Sequence, residues 1–222
     1  MAAGPSQGQF MQINLAIPQE TDLLKWPESK RFSITTQFMK EALSAPPYRQ
    51  SLMVADHSAV WKTELPGYGP IAIKLVKAHT RERAKVLYRE HIFLDKLKGP
   101  LVPELIGGGV IAGKYCLITK WVDGVPLKDI DDATLQDIIT ANGFEWLESY
   151  LKNICDLMER HKISHRDLKP NILMSRQHLS LIDFGWSIFT DEDNLVVKAK
   201  FQNRDDRKDA GAIIDYVKDR VD

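Results

Sequence analysis

Over 222 residues, 30 basic and 30 acidic side chains cancel, which excludes a bulk electrostatic grip on nucleic acid or on an anionic membrane. With 44% hydrophobic residues, the chain can bury the core of one large domain or of two small lobes. No apolar run reaches the ~18 residues of a membrane span, and the opening MAAGPSQGQFMQ lacks the basic and apolar regions of a signal peptide, so a cytoplasmic protein is expected.

Residues 1–45 are mixed and punctuated by proline, and are expected to form a partly disordered N-terminal extension with a short helix around ITTQFMKEAL. SAPPYRQ then breaks the chain. From Ser51 the pattern becomes β-like: SLMVA, SAVWKTEL and GPIAIKLVK, with the glycines and prolines of ELPGYGP suited to a hairpin connection. AHTRERAKVLYREHIFLDKLKG predicts a helix with Thr80 as its cap and Gly99-Pro100 as its stop. Val86, Phe93, Leu94 and Leu97 make its apolar stripe, and Glu90 lies in that stripe. A carboxylate turned toward a core needs a partner, so a cation must be found for it.

LVPELIGGGVIAGKYCLITKWVDGVPL predicts two more strands separated by glycine-rich turns, and LKDIDDATLQDII a short helix. GFEWLESYLKNICDLMERHKI is strongly helical, with Phe144, Leu147, Leu151, Ile154 and Met158 recurring at spacings of 3 and 4. RDDRKDAGAIIDYVKDRV predicts a final helix, and the sequence holds no internal repeat. Cys116 and Cys155 lie far apart in apolar contexts and read as buried thiols, without zinc spacing.

Between the last two helices stands SHRDLKPNILMSRQHLSLIDFGWS, residues 164–187. Its HRD and DFG, preceded by IAIK at 71–74 and by the helix bearing Glu90, follow in an order that resembles the protein-kinase-like superfamily over roughly residues 50–215. The resemblance implies a bilobal α+β fold. An N-lobe over 46–120 would hold a five-stranded antiparallel sheet with one helix, and a reduced, mostly helical C-lobe would cover 121–222.

It also implies roles. Lys74 would grip the α- and β-phosphates of ATP, and Glu90 would hold its ammonium, with Glu82 as the rival partner. Asp167 would accept or orient the proton of the attacking hydroxyl, and Lys169 would stabilise the transferred phosphoryl. Asp183 and Asn171 would ligate Mg2+ or Mn2+. His165 would pack beneath the DFG turn, and the guanidinium of Arg166 would meet an anionic partner. LITKWVDG resembles the strand entering the hinge, where Thr119 guards a back pocket and the backbone of Lys120 and Val122 meets the adenine edge. Trp121 reads as packing. The plainer readings are a solvated strand-end lysine for Lys74, a surface carboxylate for Glu90 and turn aspartates for Asp167 and Asp183.

Three features depart from the family pattern. Asn171 follows Asp167 by four residues instead of five, so either the turn is tightened and the amide still reaches, or metal coordination is rearranged. Met53, Ala55 and Ser58 stand where the phosphate-covering loop has glycines. No APE follows the DFG, and in the short remaining stretch Asp209 is the candidate brace for the catalytic loop. These features resemble minimal bacterial kinases, including effectors delivered into host cells and lipopolysaccharide kinases. The expectation is an ATP- and Mg2+-dependent, monomeric phosphotransferase with a protein Ser/Thr acceptor. A sugar or lipopolysaccharide kinase with a glycan acceptor is the rival enzyme, and a pseudokinase acting as a binding module is the rival from another class.

Overall fold

The computed structural model describes residues 53–54, 58–65, 68–76, 81–111, 114–191 and 205–221. The short helix expected within the first 45 residues, the Thr80 cap, the turn at 55–57 and the side chain of Glu82 lie outside this description.

Period-2 alternation builds the first sheet. In β3 (Gly69–Val76), Ile71, Ile73 and Leu75 are buried on one face, while Ala72 and Lys74 are half-buried on the other. With β1 (Met53–Val54), β2 (Ser58–Leu65), β4 (Leu105–Ile111) and β5 (Lys114–Lys120) it forms one antiparallel sheet in the order β1-β2-β3-β5-β4. The β2–β3 hairpin closes at the pair Leu65–Gly69, where Gly69 adopts φ +73°, a conformation glycine takes without steric penalty. In register, Ala72 faces Thr119 and Lys74 faces Leu117. That register puts the lysine and the hinge-proximal threonine on one surface.

Helix α1 (Arg81–Lys96) connects β3 to β4 and ends just before Gly99-Pro100. Its buried face is Leu87, Tyr88, Glu90, His91, Phe93 and Leu94, continuing to Leu97 beyond its end. The face is wider than the stripe predicted from the sequence, and Val86 stands at its half-buried edge. The helix packs on β4 and β5 on one side and on the turn at Phe184–Trp186 on the other, so two partners widen its apolar surface.

The remaining described chain is mainly helical. α2 (Asp132–Asn142) begins at Asp131, whose carboxylate accepts hydrogen bonds from Thr134 N and Oγ1 at 2.8 Å each. α3 (Phe144–Arg160) buries Leu147, Leu151, Ile154 and Met158, the positions its spacing marks. α4 (Asp206–Val221) buries Ala210, Ile213 and Val217 against α2 and α3. Short strands complete the frame. β6 (Val125–Pro126), β8 (Ile172–Met174) and β9 (Leu179–Leu181) pair in the order β6-β8-β9, and β7 (Ile163–Ser164) pairs with β10 (Ile188–Phe189).

One buried cluster runs from Leu94 and Leu117 through Phe184 and Ile172 to Leu151 and Ile213, so sheet and helices share a core. Cys116 and Cys155 are buried and form no disulfide. Among the described residues no helix is long and apolar enough to cross a membrane.

Candidate active site

The sheet, α1 and the turn after β9 each send one charged group to a common point. Lys74 Nζ donates to Glu90 Oε2 and to Asp183 Oδ1, both at 2.7 Å. The Lys74 side chain is 15% exposed and that of Glu90 6%, so this pair is enclosed, while Asp183, 34% exposed, faces the open cleft. The cation required for Glu90 is therefore Lys74.

Burial alone would lower the Lys74 pKa, but the carboxylates of Asp183 and Glu90 outweigh it and hold the ammonium above its ordinary value. Burial pushes the Glu90 carboxyl up to about 7 against the pull of Lys74. Asp183 also loses hydration, yet Lys74 keeps it below the usual carboxylate range. Of two acids sharing one ammonium, Glu90 is the first to take a proton.

Asp183 itself sits at φ 60°, ψ 68°, a left-handed conformation uncommon outside glycine. Its neighbours fix it there. Phe184 is fully buried with its ring edge-on to His165, centroids 4.8 Å apart. His165 Nε2 donates to the Ile182 carbonyl at 3.0 Å; a carbonyl only accepts, so this nitrogen carries the proton. Burial holds the His165 pKa below its ordinary value, although Asp206 pulls the other way. Gly185 abuts α1 so closely that a Cβ there would lie 2.5 Å from Val86 Cγ1.

The loop 165–171 is organised from within and from below. Asn171 Nδ2 donates to the Asp167 carbonyl at 2.8 Å and approaches Asp167 Oδ2 at 3.3 Å. A 3-10 turn over Lys169–Asn171, with Asn171 N donating to Leu168 O at 2.9 Å, tightens the chain by one residue. Asn171 and Asp183 line the same cleft. From below, Asp206 Oδ2 and Oδ1 accept from the backbone N–H groups of His165 and Arg166, both at 2.8 Å. These bonds hold Arg166 at φ 72°. Asp206, at the first residue of α4, thus braces the loop; Asp209, the candidate from the sequence, lies three residues further along the same helix.

The cleft has a volume of about 260 Å³. Val60, Ala72 and Leu117 close it from the sheet and Leu173 from β8, with Lys74, Glu90, Asn171 and Asp183 at its polar end. Thr119 is buried at its back, and Lys120, Trp121 and Val122 form its edge. Lys120 N donates to Glu104 O at 2.8 Å and Trp121 N to Pro70 O at 3.0 Å, which ties this edge to the sheet. The Trp121 indole donates Nε1 to Asp123 at 2.8 Å, and Lys62 Nζ lies 4.7 Å from its ring centroid. Neither Asp167 nor Lys169 is among the residues lining the cleft; the Lys169 ammonium lies over the ring of Tyr216.

A family model described as protein kinase domain matches residues 64–203, a span containing every one of these cleft groups except Val60. The chain belongs to the protein kinase family. Its relatives include a probable serine/threonine-protein kinase KIN1 homolog of Enterocytozoon bieneusi, 30% identical over 135 residues, 57% of this chain and 21% of that protein. The serine/threonine-protein kinase Nek11 of Homo sapiens is 24% identical over 186 residues, 81% of this chain and 27% of that protein. The chain spans about a fifth to a quarter of the length of these curated relatives.

The kinase fold is the one expected: a five-stranded antiparallel sheet with one helix, followed by a mostly helical part. Among the contributors to this cleft and its support that escape sequence reasoning are Asp206 and Leu173. Asp206 had a faint signal in RDDRKD, where an acidic pair opens a helix. Leu173, beneath the sheet residues of the cleft, had none beyond its apolar character.

Proposed function

We propose that this domain is a phosphotransferase that moves the γ-phosphate of ATP to a serine or threonine hydroxyl of a protein, with Mg2+ or Mn2+ as its ion. The single observation that carries the reading is Lys74 held at 2.7 Å by both Glu90 and Asp183 at the polar end of an otherwise apolar cleft. An adenine ring suits the apolar walls, and the triad supplies what a triphosphate and its ion need.

The donor set fits magnesium. Asp183 is held ionised by Lys74, and Asn171, whose Nδ2 is committed to the Asp167 carbonyl, has its amide oxygen to offer. Magnesium characteristically takes few protein oxygens and completes its shell with phosphates and water. When bound, the ion neutralises charge on the phosphate oxygens.

The protein side chains do the rest. Lys74 binds the α- and β-phosphates, and Glu90 keeps the ammonium aimed. Thr119 limits the depth of the base, while the Lys120 carbonyl and the Val122 amide meet its edge. The acceptor oxygen bonds to the γ-phosphorus as the β–γ bridging P–O bond breaks toward ADP. Asp167 receives the hydroxyl proton, and Lys169 offsets charge on the transferred group. The end of β5 at Lys120 supports a lobe boundary there, dividing 46–120 from 121–222. Zero net charge and the protein-kinase relatives favour a protein acceptor over nucleic acid, and we place the domain in the cytoplasm as a monomer.

The test is incubation with labelled ATP and Mg2+, with and without a generic protein acceptor, beside Asp183→Ala and Asp167→Ala. Label on serine or threonine in the wild type, lost in both variants, is the expected result. Neither transfer nor a nucleotide-induced thermal shift would leave a binding module. Transfer confined to glycan extracts would leave the sugar kinase.

A further inference from the structure

Lys169 lies two residues beyond Asp167, and its ammonium lies against α4. Its Nζ is 3.3 Å from the centroid of the Tyr216 ring, well inside the ~6 Å over which a ring face attracts a cation. An exposed lysine with a flexible four-carbon stem otherwise spreads over many rotamers.

The ring is itself held. Arg220, one turn along the same helix, donates Nη1 to the Tyr216 hydroxyl oxygen at 3.0 Å and lies 5.3 Å from the ring centroid. Arg220 also donates Nη2 to the Ile130 carbonyl at 2.5 Å and Nε to Asp132 at 2.6 Å. A continuous series of contacts thus runs from the start of α2, through Arg220 and Tyr216, to the catalytic loop.

We propose that Tyr216 is a positioning residue for Lys169, holding its ammonium at the outer edge of the catalytic loop for use in phosphoryl transfer. The proposal rests on the phosphotransferase reading above. The choice of partner matters. A carboxylate would neutralise the ammonium and compete with phosphoryl oxygens for it, whereas a ring face attracts the cation and leaves its full charge available. A phosphoryl oxygen can therefore take up the ammonium while its stem stays against the ring, so the ordering that Tyr216 imposes persists in the transition state.

The experiment has one arm that needs no activity. In the full chain labelled with 13C-lysine, the Lys169 ε-methylene, assigned with Lys169→Arg, shows an upfield ring-current shift. That shift persists in Tyr216→Phe and disappears in Tyr216→Leu. In the kinetic arm, Tyr216→Leu lowers kcat about tenfold, the factor equal to ~1.4 kcal/mol and within the range of a cation–π contact, with KM for ATP little changed. Tyr216→Phe, which keeps the ring, stays near wild type. The double variant Tyr216→Leu/Lys169→Ala is no slower than Lys169→Ala, because both act through the same ammonium. Should Tyr216→Leu fail to fold, Tyr216→Met, nearer the ring in length, removes the aromatic face and lowers kcat in the same direction.

Unchanged or faster turnover in Tyr216→Leu, or losses that multiply in the double variant, overturns the proposal. A wild type that transfers phosphate without the ring-current shift overturns the brace alone. A wild type that shows the shift but transfers nothing overturns the phosphotransferase reading, and with it the use made of this contact.

Discussion

Glu90 shows how burial and pairing divide the work at a single residue. Its carboxyl is pushed up to about 7 from 4.5 by lost hydration, while Lys74 pulls the other way. The folded protein therefore holds a proton on Glu90 that the unfolded chain has lost between pH 4.5 and about 7. Stability contributed by this group is full below that window and declines as the pH rises through it. Only ionised Glu90 can hold the Lys74 ammonium electrostatically, so activity should move the opposite way. Replacing Glu90 by Gln removes both dependences. Melting temperatures and transfer rates of wild type and E90Q, measured side by side across the window, are expected to show this. Wild type loses Tm relative to E90Q as pH rises, and gains rate relative to it. A pH-independent gap in both measurements would mean that Glu90 does not titrate there. The pairing need is legible in the sequence, because a carboxylate on an apolar stripe asks for a cation. The brace by Asp206 is not, since no local pattern encodes how its helix docks.

At the scale of elements, the strands of the first sheet are the most legible, whereas the short strands β6 to β10 go unpredicted. SAVWKTEL in the sequence is β2 without a residue's difference, because alternation and turn chemistry are local. α1 is less so. Its face is set by two partners, and the second, the turn at Phe184–Trp186, lies about a hundred positions away in the chain. That contact is also the one most sensitive to added volume. A Cβ at Gly185 would stand 2.5 Å from Val86 Cγ1, so Gly185→Ala must displace α1 or the turn bearing Asp183. Overpacking of this kind costs ~1–3 kcal/mol, and either displacement draws Glu90 or Asp183 away from Lys74. Phosphate transfer by G185A is expected to fall at least as steeply as its stability. Val86→Ala in the same chain reopens the space and should restore much of both. If the double variant stays as inactive as G185A while regaining its Tm, the glycine serves a need other than this contact.

For the whole molecule, the decisive fact is a distance that sequence cannot supply. Lys74 and Asp183 are separated by 109 positions and end 2.7 Å apart. Motif order makes that meeting readable by resemblance, whereas Tyr216 beneath Lys169 has no motif to announce it. The meeting also joins the sheet to the helical part across the cleft, with the shared core behind it. A nucleotide bound there should stabilise both parts at once, because only the assembled cleft presents Lys74, Asn171 and Asp183 together. Ligand at a hundred times its Kd adds ~2.7 kcal/mol. Thermal unfolding with ATP and Mg2+ is therefore expected to show one transition at higher temperature. Chelation of the metal should remove most of the gain while ATP stays in the buffer. Asp183→Asn keeps the size of the side chain but abolishes the charge that favours the ion, so in that variant ATP with and without Mg2+ should give the same modest shift. A metal-dependent gain that survives in Asp183→Asn would place the ion on other ligands, and the assignment of Asp183 would then be wrong.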